Sequence, residues 1–261
     1  MTVALAALAA LVGALVAWVV TVPLYRFKEF RPKTPRDVQN EAGDDIRAEV
    51  RHAICPGCHR HCGPADVVPV VSWVKGCPGC GRRVPAVAIA LQVGLPLAMA
   101  VTASTFTSPW VALPYLWFTV VVAAIAVVDA RIWLIPWWMP WVGSAVGLAL
   151  ISVVSVALGE PGAIVNALIG AAGAFGLFFV MWFVAPGKLG FGDVRLAFMI
   201  GLFLGWLHPI LALYGLLLGS LVGVLLGVVS LAARAGSRFA FGPALAVGAL
   251  LAVWLHAALV P

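Results

Sequence analysis

Charged side chains are scarce in this sequence. Asp, Glu, Lys and Arg make up 10% of its 261 residues, against about 25% in soluble globular domains. Acids are scarcer still over most of the length. Seven of the ten lie between Arg26 and Asp66, and the rest of the chain holds only Asp129, Glu160 and Asp193. A soluble domain covers its core with charge, so this poverty excludes that class for most of the chain. Lys and Arg are also missing ahead of the first apolar run, Val3–Val22, whereas Arg26, Lys28 and Arg31 follow it. That order excludes the usual layout of a cleaved secretory signal. It predicts an anchor helix with its N-terminus outside.

What is present instead is apolar. Hydrophobic residues reach 63% and the mean hydropathy is +1.08. Glycine (27) and tryptophan (11) are abundant, and both suit membrane helices, one for close packing and the other for interfacial anchoring. The net charge of +6 would suit a nucleic-acid partner, but its distribution argues against one. Eleven of the sixteen basic residues lie between Arg26 and Arg83, mixed with acids, and the others sit singly between apolar runs. Membrane lipid is therefore the expected environment, with no nucleic acid.

A spanning helix needs about 20 apolar residues. The hydropathy pattern predicts eight spans: Val3–Val22, then 86–103, 110–128, 139–158, 163–185, 194–207, 209–231 and 243–259. With the N-terminus outside, the inner gaps are 23–85, 129–138, 186–193 and 232–242. They hold every basic residue except Arg195, which lies just past one of them. The outer gaps hold Glu160 and His208 but no Lys or Arg, as the positive-inside rule requires. The expected fold class is an all-α polytopic membrane protein of about eight transmembrane helices. A small zinc-binding cytoplasmic domain lies between helices 1 and 2. Residues 1–22 form the first helix, 23–85 the cytoplasmic domain and 86–261 the transmembrane core. Asp44–Arg51 is predicted as a short helix within the middle segment. Gly215, Gly219, Gly223 and Gly227 share one helix face, which suits close packing first and a sliding surface second. The stretch Trp133–Trp141 reads as an interfacial anchor, with a part in a substrate entrance as the second reading.

The cysteines carry the first chemical signal. Cys55-Pro-Gly-Cys58 is followed eighteen residues later by Cys77-Pro-Gly-Cys80. Two such knuckles are the pattern of a tetrahedral zinc site, each tight turn offering two thiolates. Four thiolates leave no open coordination position, so the zinc is expected to be structural. Disulfides are the competing reading, and they need an oxidising compartment, whereas the charge pattern puts this segment in the cytoplasm. His59, His61 and Cys62 crowd the first knuckle as alternative ligands or neighbours.

The carboxylates carry the second. Glu160 sits in an outer turn, Leu-Gly-Glu-Pro-Gly, as a solvated residue. Asp129 closes the apolar run Val-Val-Ala-Ala-Ile-Ala-Val-Val, and Asp193 stands in Gly190-Phe-Gly-Asp193. Ionisable groups at helix ends beside lipid are functional suspects, and the predicted topology puts both at one membrane face. Two close carboxylates share a proton rather than both ionise. One then takes a proton from water while the other polarises a scissile carbonyl. Gly190 and Gly192 would let the backbone turn and approach a substrate strand. Against this stands the reading that each Asp merely caps a helix or pairs with Arg131 or Arg195.

Four pieces in this order resemble the type IV prepilin peptidase family, the prepilin leader peptidase/N-methyltransferases. They are the two CPGC knuckles, with Val-Pro-Val-Val-Ser-Trp between them; Asp129 followed by Ile135-Pro136; the GxGD stretch Gly190–Leu196; and Phe241-Gly242-Pro243-Ala244-Leu245-Ala246. The resemblance covers nearly the whole chain. It implies that Asp129 and Asp193 are a catalytic pair of a GxGD intramembrane aspartyl protease. It implies a multi-pass protein of the bacterial inner membrane, with prepilins or pseudopilins as substrates, cut on the cytoplasmic side after a Gly. Methylation of the new N-terminus from S-adenosylmethionine often follows in the family. The chain departs from the pattern twice. Gly13-Ala-Leu-Val-Ala stands where the family usually has Gly-Ser-Phe-Leu-Asn, and Ala88 stands where a Glu is common. S-adenosylmethionine is thus a cofactor only if methyl transfer is retained, and transfer is expected to be weak or absent. A presenilin-like GxGD protease shares the two-Asp logic but needs no paired knuckles. An assembly scaffold with a zinc-stabilised domain would tolerate loss of either Asp. A dimer is compatible with the sequence but not required by it.

Overall fold

The computed structural model describes residues 2–26, 58, 60, 68–83, 86–187, 189–232 and 240–260. Cys55, His59, His61, Cys62 and the expected helix Asp44–Arg51 lie outside the described residues. Among those described, the fold is all-helical.

The chain enters through α1 (Thr2–Arg26), passes a one-turn helix α2 (Val71–Lys75), and then forms the main bundle. Its members are α3 (Ala86–Thr105), α4 (Pro109–Ile132), α5 (Trp138–Ala157), α6 (Gly162–Val184), α7 (Phe191–Leu207), α8 (Pro209–Ala232) and α9 (Gly242–Trp254), closed by a short α10 (His256–Leu259). Six of these, α1, α3, α4, α5, α6 and α8, are long and apolar enough to cross a membrane. Their outward residues are apolar: Leu11 and Leu15 on α1, Val153 on α5, Phe183 on α6, and Leu221 and Val224 on α8 are all exposed. So much exposed hydrocarbon is unfavourable in water but matches a lipid surround.

α7, of 17 residues, is packed among other helices. From Val194 to Trp206 nearly every side chain is buried. α6 crosses it closely at Gly170, Gly201 and Gly205, where added Cβ atoms would strike the facing backbone. α4 packs on its other side through Phe118, whose ring centroid lies 4.7 Å from that of Phe203. The Tyr115 hydroxyl donates to the Phe203 carbonyl at 2.9 Å. The glycine face of α8 is a packing surface: Gly219 meets Leu245 and Gly248, and Gly223 meets Phe241 and Ala244.

The last expected span, 243–259, is two helices. α9 ends at Trp254, and the Leu255 amide bonds back to Leu251 and Val253. Two side chains fix the break: Trp254 donates to Thr102 Oγ1 at 3.0 Å, and the His256 ring stacks on Phe106.

Candidate active site

Three helix ends converge. α4 delivers Asp129 near its C-terminus, α7 starts with Asp193 in its first turn, and the start of α9 supplies Gly242. Asp129 is buried, at 5% exposure, and Asp193 is partly buried. The Asp193 N–H donates to the Gly190 carbonyl at 3.1 Å, and Gly192, next to Asp193, packs against Ile135, six positions after Asp129. The Gly242 N–H donates to Oδ2 of Asp129 at 2.8 Å. The first N–H groups of a helix have no partner within it, and the helix dipole places partial positive charge there. The starts of α7 and α9 therefore suit two acids, Asp129 buried and Asp193 partly so.

The turn after Asp129 is shaped for this. α4 stops at Trp133, which adopts a left-handed conformation (φ 55°, ψ 32°), with its N–H on the Asp129 carbonyl at 2.8 Å. Such backbone is costly for a bulky residue and persists only where packing demands it. Ile135 and Pro136, just beyond it, are both buried. Ile135 sits over Gly192, with its Cβ 2.9 Å from where a glycine-to-alanine Cβ would stand. Gly190 leaves similar room for Asp193 Oδ2, 3.3 Å from its missing Cβ. Arg195 lays its guanidinium over the Phe191 ring, 4.7 Å from the centroid. Trp133, Trp137, Trp138 and Trp141 are each at least 40% exposed along this rim. Glu160 is exposed in its turn, as expected.

The knuckle lies beside α1 and α3. The sulfurs of Cys58, Cys77 and Cys80 fall within 4.8 Å of one another. Cys58 and Cys77 Sγ are 3.7 Å apart, far beyond a disulfide bond of about 2.05 Å. Tetrahedral zinc with bonds of about 2.3 Å sets its sulfurs about 3.8 Å apart. The donor set therefore fits a metal ion. The Gly79 N–H points at Cys77 Sγ at 3.4 Å, and Gly76 and Gly81 take φ values of 69° and 68° that let the turn close. The Trp73 indole donates to Gln92 Oε1 at 2.6 Å, and Gln92 donates to Thr21 Oγ1 at 3.2 Å. These bonds tie the knuckle to α3 and α1.

Known proteins resemble this chain in the same terms. Residues 116–228 match the type IV leader peptidase family. A prepilin leader peptidase/N-methyltransferase of Pseudomonas aeruginosa is 31% identical over 217 residues, covering 77% of this chain and 71% of that protein. The chain belongs to the type IV leader peptidase family. Proteins of the same name from Aeromonas salmonicida and Bacillus subtilis are each 29% identical, covering 86% and 76% of this chain and 77% and 79% of their own lengths. No solved structure matches the chain. This leader peptidase is accordingly a membrane-embedded peptidase.

Sequence reasoning about the leader peptidase missed three groups at the carboxylates. Ile135 was visible only as half of an Ile-Pro pair. Gly242 was visible only as part of Phe-Gly-Pro-Ala-Leu, with nothing to show that it reaches Asp129. The left-handed Trp133 leaves no mark in a sequence, because residues other than glycine rarely take that conformation.

Proposed function

We propose that this leader peptidase is an aspartic endopeptidase that removes the leader from type IV prepilins or pseudopilins at the cytoplasmic face of the bacterial inner membrane. The observation that supports this most is geometric: Ile135, six positions after Asp129, rests on Gly192, next to Asp193, so two acids 64 positions apart in sequence stand at one end of the bundle. In this reading the pair shares one proton. The ionised carboxylate takes a proton from water as its oxygen bonds to the scissile carbonyl carbon, and the protonated one donates to the carbonyl oxygen. The C–N bond then breaks, and the amine leaves with a proton returned by the pair. Gly190 and Gly192 keep side chains away from the strand that must lie along the carboxylates.

Residues 23–85 form, in this proposal, a cytoplasmic zinc-binding domain with Cys55, Cys58, Cys77 and Cys80 as ligands. Bound zinc would supply folding free energy to a segment with little core of its own. The membrane core is residues 86–261, with α1 as an added anchor. S-adenosylmethionine is a cofactor only if methyl transfer is retained, and the apolar Gly13–Ala17 of α1 and Ala88 of α3 stand where the family resemblance implies polar residues. The reading is therefore a peptidase with weak or absent methyl transfer.

The decisive experiment uses Asp129→Asn and Asp193→Asn in membranes co-expressing a prepilin, with the product's N-terminus read by mass. Each variant is expected to lose at least ~10³-fold in cleavage rate, and wild-type product is expected to carry an unmethylated N-terminus. Full cleavage by either variant contradicts the pair.

A further inference from the structure

Asp129 is held from outside its own helix. The Gly242 N–H reaches its Oδ2 at 2.8 Å in a buried bond that spans 113 positions of sequence. A Cβ on Gly242 would lie 2.7 Å from Oδ2 and 3.1 Å from both Cβ and Cγ of Asp129, so the carboxylate rests where any other residue would carry its side chain. The neighbouring groups of α9 are committed elsewhere. Pro243 has no N–H, and the Ala244 and Leu245 amides both bond to the Phe241 carbonyl at 3.1 Å. Gly242 is thus the donor that the start of α9 directs at Asp129. Hydrogen bonds to an ionised oxygen are short and strong, and this one limits rotation of the carboxylate about Cβ–Cγ.

We propose that Gly242 is a positioning residue of the peptidase reaction. Its N–H occupies one oxygen of Asp129 and sets the plane of the carboxylate, so that proton exchange with water runs through the other oxygen. Its bare Cα admits Asp129 to that position. This rests on the aspartyl-pair reading above. A misplacement of about 1 Å in a catalytic group costs roughly 10²-fold, which sets the expected scale.

The test compares Gly242→Ala with Gly248→Ala and Asp129→Asn, each as the full chain in membranes with a co-reconstituted prepilin. Gly248 packs on Gly219, away from Asp129, so its variant controls for loosening of α9. Gly242→Ala is expected to lower kcat roughly 10²-fold with KM within about twofold, per folded molecule. Gly248→Ala is expected to lower the folded fraction instead, with kcat per folded molecule retained. A Gly242→Ala enzyme with wild-type kcat, or one whose loss follows its folded fraction alone, overturns the proposal. Full activity in Asp129→Asn would instead overturn the pair itself. A second measurement needs no change at Gly242. In ¹⁵N-glycine-labelled protein the Gly242 amide proton is expected downfield in the wild type and shifted upfield in Asp129→Ala. An unmoved resonance overturns the proposal.

Discussion

Ile135 rests on the bare backbone of Gly192, its Cβ 2.9 Å from the position that an alanine Cβ would take. This contact joins the segment that follows Asp129 to the segment that precedes Asp193. Glycine at 192 is thus required by a neighbour within the protein, beyond any approach of substrate. Gly192→Ala is expected to push Ile135 aside and cost about 1–3 kcal/mol, as overpacking does. Thermal unfolding in detergent and prepilin cleavage should both decline. In an Ile135→Gly background, which lacks the clashing Cβ, Gly192→Ala should cost less than it does in the wild type. An equal cost in both backgrounds would refute the contact's role.

The knuckle predicts a metal-dependent stability. Purified protein should contain about one zinc per chain. Cys77→Ser should lower that content and destabilise the knuckle before it slows cleavage, because the sulfurs lie apart from the carboxylates in chain and role. Protons compete with zinc for thiolates, so metal content should fall as the pH is lowered. Metal analysis across a pH series checks the sign, and metal-free wild-type protein of unchanged stability would count against a structural site.

Gln92 links the knuckle to two membrane helices. It is buried, at 7% exposure, and bonds both Trp73 and Thr21. Gln92→Leu fills the space but leaves the Trp73 indole without this acceptor, at a cost of about 1–3 kcal/mol. Limited proteolysis near Val71–Lys75 should become faster, with zinc content retained. Equal rates in both proteins would show that the knuckle docks by other means.

The membrane class, the helices, the knuckle and both acids were legible from composition and spacing. Hydrophobic runs in lipid need no partner to declare themselves, since a span must satisfy its own backbone. CPGC repeats declare themselves because metal ligands come in fixed local turns. Asp129 and Asp193 stood out because acids beside lipid are rare. Cys55 and the segment around it lie outside the described residues, so the fourth thiolate remains a reading of spacing.

Sequence alone determined that this is an all-helical membrane protein of the leader peptidase kind, because periodicity, hydropathy and short motifs are properties of neighbouring residues. Only the tertiary structure decided that α7 is buried at the bundle's centre, that the final span breaks at Leu255, and that Ile135 and Gly242 attend the two acids. Those outcomes depend on contacts between residues far apart in the chain, such as Gly242 with Asp129. Such contacts are set by how helices pack, and one-dimensional patterns do not record which residue of a helix meets which residue of another.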